Sequence, residues 1–137
     1  MRKHSFLLFG LLFLFIGGLY FLSRLEVRDS DNIKLAQLLI EKLCSRLESF
    51  RVDCGRYPTT DEGLAALLRP PKDKGTAIRW RGPYLPFPQD SFLQDVLRDC
   101  WGRTPCYRFR GGRSGKEYDV FSLSWDGVES SDDIGNW

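Results

Sequence analysis

The chain has one histidine in 137 residues, and it is His4, ahead of the first apolar run. No Ser–His or Cys–His couple can therefore form in the part that folds beyond that run. The four cysteines are ten, forty-six and six residues apart. Without a C-x-x-C pair, that spacing argues against a zinc site and against tuned redox thiols. Residues 111–116, GGRSGK, miss a phosphate loop, because Arg110 stands where its first glycine belongs and Glu117 follows the lysine. The acidic end lacks the regular aspartate series of an EF-hand. There are no internal repeats and no low-complexity segment. A net charge of +2 favours no particular partner. No catalytic group is found, so an enzyme is not expected.

What the chain does have begins with residues 6–22, FLLFGLLFLFIGGLYFL. As a helix they span ~25 Å, at the short end for a bilayer core of ~30 Å, and Ser5 and Ser23 extend the uncharged stretch. Arg2 and Lys3 precede it, as in a signal peptide. The run is long for one, however, and Leu22-Ser23-Arg24-Leu25 offers no small-x-small cleavage site. A retained single-pass anchor over 6–23 is expected, behind a short basic leader-like segment, 1–5. Basic residues near the two flanks are close to even, so charge does not set its orientation.

An even number of cysteines in a small domain points to an oxidising compartment and to structural disulfides. Cys44, Cys54, Cys100 and Cys106 allow three pairings. On a helix reaching about Val52, Cys44 and Cys54 lie ~15 Å apart, beyond the ~7 Å limit for a bridge. That disfavours Cys44–Cys54 and the arrangement that complements it.

Residues 24–137 read as one globular domain. Ile33, Ala36, Ile40, Leu43, Leu47 and Phe50 recur at steps of three and four, the stripe of an amphipathic helix. That helix is expected over 30–53, capped by Ser30 and stopped at Gly55. Thr59 and Glu62 fit a capping box for a short helix to about Leu68, ended by Pro70 and Pro71. Residues 72–98 look like loop. WGRTPCYRFR and EYDVFSLSW read as strands, joined as a hairpin by GGRSGK. The order implies an α+β fold, a long helix packed on a small antiparallel sheet.

Charge is unevenly spread. Residues 69–116 are basic, among them Arg103, Arg108 and Arg113. The stripe is read as a solvated face or a subunit contact, and no nucleic-acid partner is expected. Asp126, Glu129, Asp132 and Asp133 fall within eight residues of the acidic end. A short loop doubling back there could offer calcium both carboxylates and carbonyls, and a solvated acidic turn is the alternative.

Several blocks match one family in its order. They are Asp53-Cys54-Gly55-Arg56-Tyr57-Pro58-Thr59-Thr60, Glu62-Gly63-Leu64, Ala66-Leu67, Trp80, Gly82-Pro83-Tyr84-Leu85, Asp99, Trp101-Gly102, Pro105 and Tyr107. Tyr118-Asp119, Ser122-Leu123, Asp126-Gly127, Asp133-Ile134 and Asn136-Trp137 follow. Over residues 33–137 the chain resembles the major pseudopilin, the G subunit, of bacterial type II secretion. The resemblance implies a type IV pilin-like fold and a structural role. The subunits would self-associate into a periplasmic filament that helps move folded proteins across the outer membrane, with other pseudopilins and inner-membrane secretion components as partners. It also implies an inner-membrane anchor, a periplasmic domain and a calcium site formed by Asp126, the Leu123 carbonyl and Asp132 or Asp133. Leader cleavage would fall between Ser5 and Phe6.

The chain departs from the family at three places. Ser5 stands for the family's glycine, and Gly10 for the glutamate at the fifth mature position. That favours an alternative, a membrane-tethered accessory protein that keeps the fold without polymerising. Only Val128 to Asp132 separate Asp126-Gly127 from Asp133-Ile134, a shortened loop. Cys100 and Cys106 are an addition flanking the Trp-Gly turn. The bridges expected are Cys100–Cys106, or bridges from Cys44 and Cys54 to that pair.

Overall fold

Nothing between Leu19 and Cys54 breaks a helix, since neither glycine nor proline occurs there. Accordingly the first element of the computed structural model, α1, runs unbroken from Lys3 to Cys54. Ser30 is internal to it rather than its cap. Residues 3–86 and 97–137 are described, with side chains at 18, 30–86 and 97–137. The membrane span expected over 6–23 and the cleavage pair Ser5 and Phe6 fall outside the described side chains, apart from Gly18. Among the described residues no helix is long and apolar enough to cross a membrane. The chain divides into two compact units, Met1–Asn32 and Ile33–Trp137. From Lys3 on, the first is the opening part of α1.

In the second unit, α1 buries Ala36, Ile40, Leu43, Leu47, Phe50 and Cys54. The buried stripe begins at Ala36, because Ile33 stays 40% exposed. Burying each large apolar side chain here stabilises the fold by ~2 kcal/mol. Gly55 stops the helix as expected. Its φ of +78° is left-handed, and its N–H bonds to the Arg51 carbonyl at 2.8 Å.

The capping box forms. The Thr59 N–H donates to Glu62 Oε2 at 2.8 Å and the Glu62 N–H to Thr59 Oγ1 at 3.3 Å. The element it opens is a single 3-10 turn, Gly63–Leu67. Arg56 closes the other side of Glu62 with a two-pronged ion pair, at 2.7 and 2.8 Å. The stretch expected to be loop holds a second helix, α2, Lys74–Arg79. Asp73 caps it by accepting from the Thr76 N–H at 2.8 Å and the Thr76 hydroxyl at 2.6 Å.

Three strands form an antiparallel sheet in the order β1-β2-β3, namely β1 Cys106–Phe109, β2 Tyr118–Ser122 and β3 Ile134–Gly135. Phe109 pairs with Tyr118 and Cys106 with Phe121. Alternation then assigns the faces. Tyr107, Tyr118 and Val120 join α1 in the core, with Phe109 packed against it. Cys106, Arg108, Asp119 and Phe121 occupy the other face. All five β2 residues are buried, so both faces of the central strand are covered.

Candidate functional site

The far face of the sheet is closed by the acidic loop, and arginines hold it there. The β1–β2 turn is built on Asp119, whose two oxygens accept from the backbone N–H groups of Arg113 and Ser114, each at 2.9 Å. Burial pushes the Asp119 carboxyl up, but these bonds and the Arg113 charge outweigh it, and its pKa ends below the ordinary value. So anchored, Arg113 reaches the loop. Nη1 donates to Asp133 Oδ2 at 2.8 Å and Nη2 to the Ser130 carbonyl at 3.1 Å. Its guanidinium lies 3.8 Å from the centre of the Trp137 ring. Arg108 forks onto Glu129 at 2.8 and 2.6 Å and holds that carboxyl below its usual range. Arg103 donates to the Ser124 and Trp125 carbonyls at 2.6 and 3.1 Å. Three arginines read from sequence as a solvated or subunit-facing stripe thus spend their charge on the chain's own loop.

The expected calcium ligands have other partners. The Leu123 carbonyl accepts from the Gly127 N–H at 3.2 Å. Asp126 Oδ1 accepts from the Val128 N–H at 3.0 Å. Asp132 Oδ1 is bonded by the Ser130 hydroxyl. Asp133 is fully buried and spends Oδ2 on Arg113 and on the Ser130 N–H at 3.1 Å, while its Oδ1 has no hydrogen-bond partner. Among the described residues no group of three or more acidic, cysteine or histidine side chains is placed to hold a metal. Calcium wants six to eight oxygens, and this donor set, with a guanidinium on its one buried carboxylate, does not fit it.

None of the four cysteines is bridged among the described residues. Cys54 is buried, with Sγ 3.9 Å from the Thr76 carbonyl. Cys44 is half-buried, and burial pushes its thiol pKa up. Both belong to the helix side of the sheet, whereas Cys106 projects from the far face by the register of β1. The sheet itself stands between Cys106 and either helix cysteine, which removes the expected helix-to-sheet staple through Cys106.

On α1, Leu35 and Leu38 are 56% and 61% exposed. These apolar side chains point away from the domain's own core and form its second candidate surface.

Comparison with known proteins agrees with this fold. The family model for the type II secretion system, protein G, matches residues 24–137. The type II secretion system core protein G of Dickeya chrysanthemi is 40% identical over 100 residues, 72% of this chain and 59% of that protein. That of Klebsiella pneumoniae is 36% identical over 109 residues, 79% and 71% of the respective chains. The chain thus spans about three-fifths of the length of the Dickeya relative. The crystal structure of the major pseudopilin from the type 2 secretion system of enterohaemorrhagic Escherichia coli superposes with a TM-score of 0.62 at 31% identity, covering 82% of this chain and 92% of that one. A pilin-like helix on a three-stranded sheet, together with a match over five-sixths of its length, makes this chain a member of the protein G family of the type II secretion system.

Proposed function

We propose that the protein is a structural pseudopilin. Residues 6–23 anchor it in the inner membrane, the domain stands in the periplasm, and copies associate through α1 into a filament that helps move folded proteins across the outer membrane. The observation that carries this reading is the exposed apolar pair Leu35 and Leu38 on α1. The domain's own core leaves these side chains uncovered, and burial against a neighbouring helix would remove their apolar surface from water. Other pseudopilins and inner-membrane secretion components are the partners in this reading.

A second reading is favoured by Gly10, which stands where the family resemblance places a glutamate. A tethered accessory subunit would keep the fold and remain single. Chemical cross-linking of the full chain in membranes separates the two. A ladder of multimers means a filament, and a single band means an accessory.

A further inference from the structure

We propose that the guanidinium groups of Arg103 and Arg113 act as built-in cations that hold the loop 123–133 closed, so that this end of the domain folds without a metal ion.

Four carboxylates, Asp126, Glu129, Asp132 and Asp133, crowd this short segment. Such a loop repels itself and leaves carbonyls to satisfy. Either a divalent cation or fixed positive side chains can meet both needs. In this chain the side chains do. Arg113 covers one carboxylate and one carbonyl, and Arg103 covers two consecutive carbonyls. A planar guanidinium presents its donors as a fork, so one residue joins two points of the loop at once.

Both arginines are fixed at their roots. The Arg113 N–H is held by Asp119 and the Arg103 N–H by Asp99 Oδ1, at 2.9 and 2.8 Å. The Trp137 ring covers the flat face of Arg113. Gly127 lies against Arg103. Its φ is +71°, and a Cβ there would meet Arg103 Cζ at 2.8 Å. An arginine merely resting in solvent needs none of these fittings. The one feature a cation would explain is the unpartnered Asp133 Oδ1, yet a single oxygen falls far short of a calcium shell, and one water would satisfy it.

The test uses the full chain in detergent, unfolded thermally with ~10 mM calcium and then with chelator. That concentration exceeds the ~1 mM of even weak extracellular calcium sites. The expected midpoint shift is below ~2 °C. Any larger calcium-dependent rise, such as the ~6 °C expected of a site with a dissociation constant of ~1 mM, overturns the proposal. Arg113→Gln and Arg103→Gln are each expected to lower the midpoint by ~5 °C and to open the loop to protease. Arg113→Lys, which loses the fork, restores little. Both glutamine variants melting like the parent, with the loop still resistant, also overturns it. Should Arg113→Gln fail to fold, the calcium comparison on the unaltered chain and the Arg103→Gln variant still decide.

Discussion

Ser122 donates its hydroxyl to Asp99 Oδ2 at 2.6 Å, tying the end of β2 to the turn that precedes β1. The other oxygen of Asp99 takes the backbone N–H groups of Trp101 and Arg103, at 3.0 and 2.8 Å. One buried carboxylate therefore organises the Trp-Gly turn and ties it to the sheet. Replacing Asp99 by alanine orphans two amides and a hydroxyl, and is expected to cost ~3 kcal/mol. Asp99→Asn keeps one acceptor oxygen and should lose less. Denaturant midpoints of the two variants check the order, and equal midpoints would contradict it.

Leu43 and Leu38 are five residues apart on α1 and differ entirely in surroundings. Leu43 is fully buried and Leu38 is largely exposed. Leu43→Ala should destabilise the domain by ~3 kcal/mol through lost burial and a residual cavity. Leu38→Ala should stay within ~0.5 kcal/mol. Chemical unfolding of the two variants reads the contrast.

The exposed face of α1 has a separate readout. Leu35→Glu combined with Leu38→Glu should leave the unfolding midpoint near that of the parent, because neither side chain belongs to the core cluster. Under the filament reading, the same pair should abolish the multimer ladder in membranes. Ladders that persist in the double variant would place the subunit contact elsewhere.

Acid should weaken the fold in a defined direction. The Arg56 fork, against opposing burial, holds the Glu62 carboxyl below its ordinary value of 4.5. A carboxyl whose folded pKa is depressed contributes stability that is full above its unfolded pKa. That stability is lost as the pH falls through the folded one. Glu48 and Glu129 are shifted the same way, by Tyr57 and by Arg108. The midpoint should fall as pH drops from about 5 to about 3. Glu62→Gln should be less stable at neutral pH but lose less over that range. A slope unchanged in this variant would show that Glu62 does not contribute to it.

Local chemistry was the legible part of the sequence. The stop at Gly55, the box of Thr59 and Glu62, and the hairpin partners Tyr107 to Phe109 and Tyr118 to Ser122 each rest on contacts within a few residues or on simple alternation. The same rules reach further along the chain. Asp73 and Thr76 spell a cap that marks α2, and the missing breakers between Leu19 and Cys54 foretell one unbroken helix rather than a start at Ser30. β3 is only two residues long, too short for any periodic signal, and it pairs because Asn136 extends the ladder. The Asn136 side chain accepts from the Val120 N–H and donates to the Tyr118 carbonyl, each at 3.1 Å.

The sequence by itself determined α1, the capped turn after Thr59 and the β1–β2 hairpin, because helix stripes, caps and turns are read within a few residues of the chain. Only the tertiary structure decided where the arginines of the basic stretch would spend their charge. Arg108 and Glu129 are 21 positions apart, and Arg113 and Asp133 are 20 apart. Their meeting depends on the register that turns Arg108 and Phe121 to one face and on the loop folding back across it. Charge counts cannot show this, because an ion pair exists only once two distant side chains have been brought within a few ångströms of each other. The same physical reason separates Cys106 from Cys44 and Cys54. Spacing along a chain limits local distances, but the side of a sheet on which a residue projects is fixed by pairing.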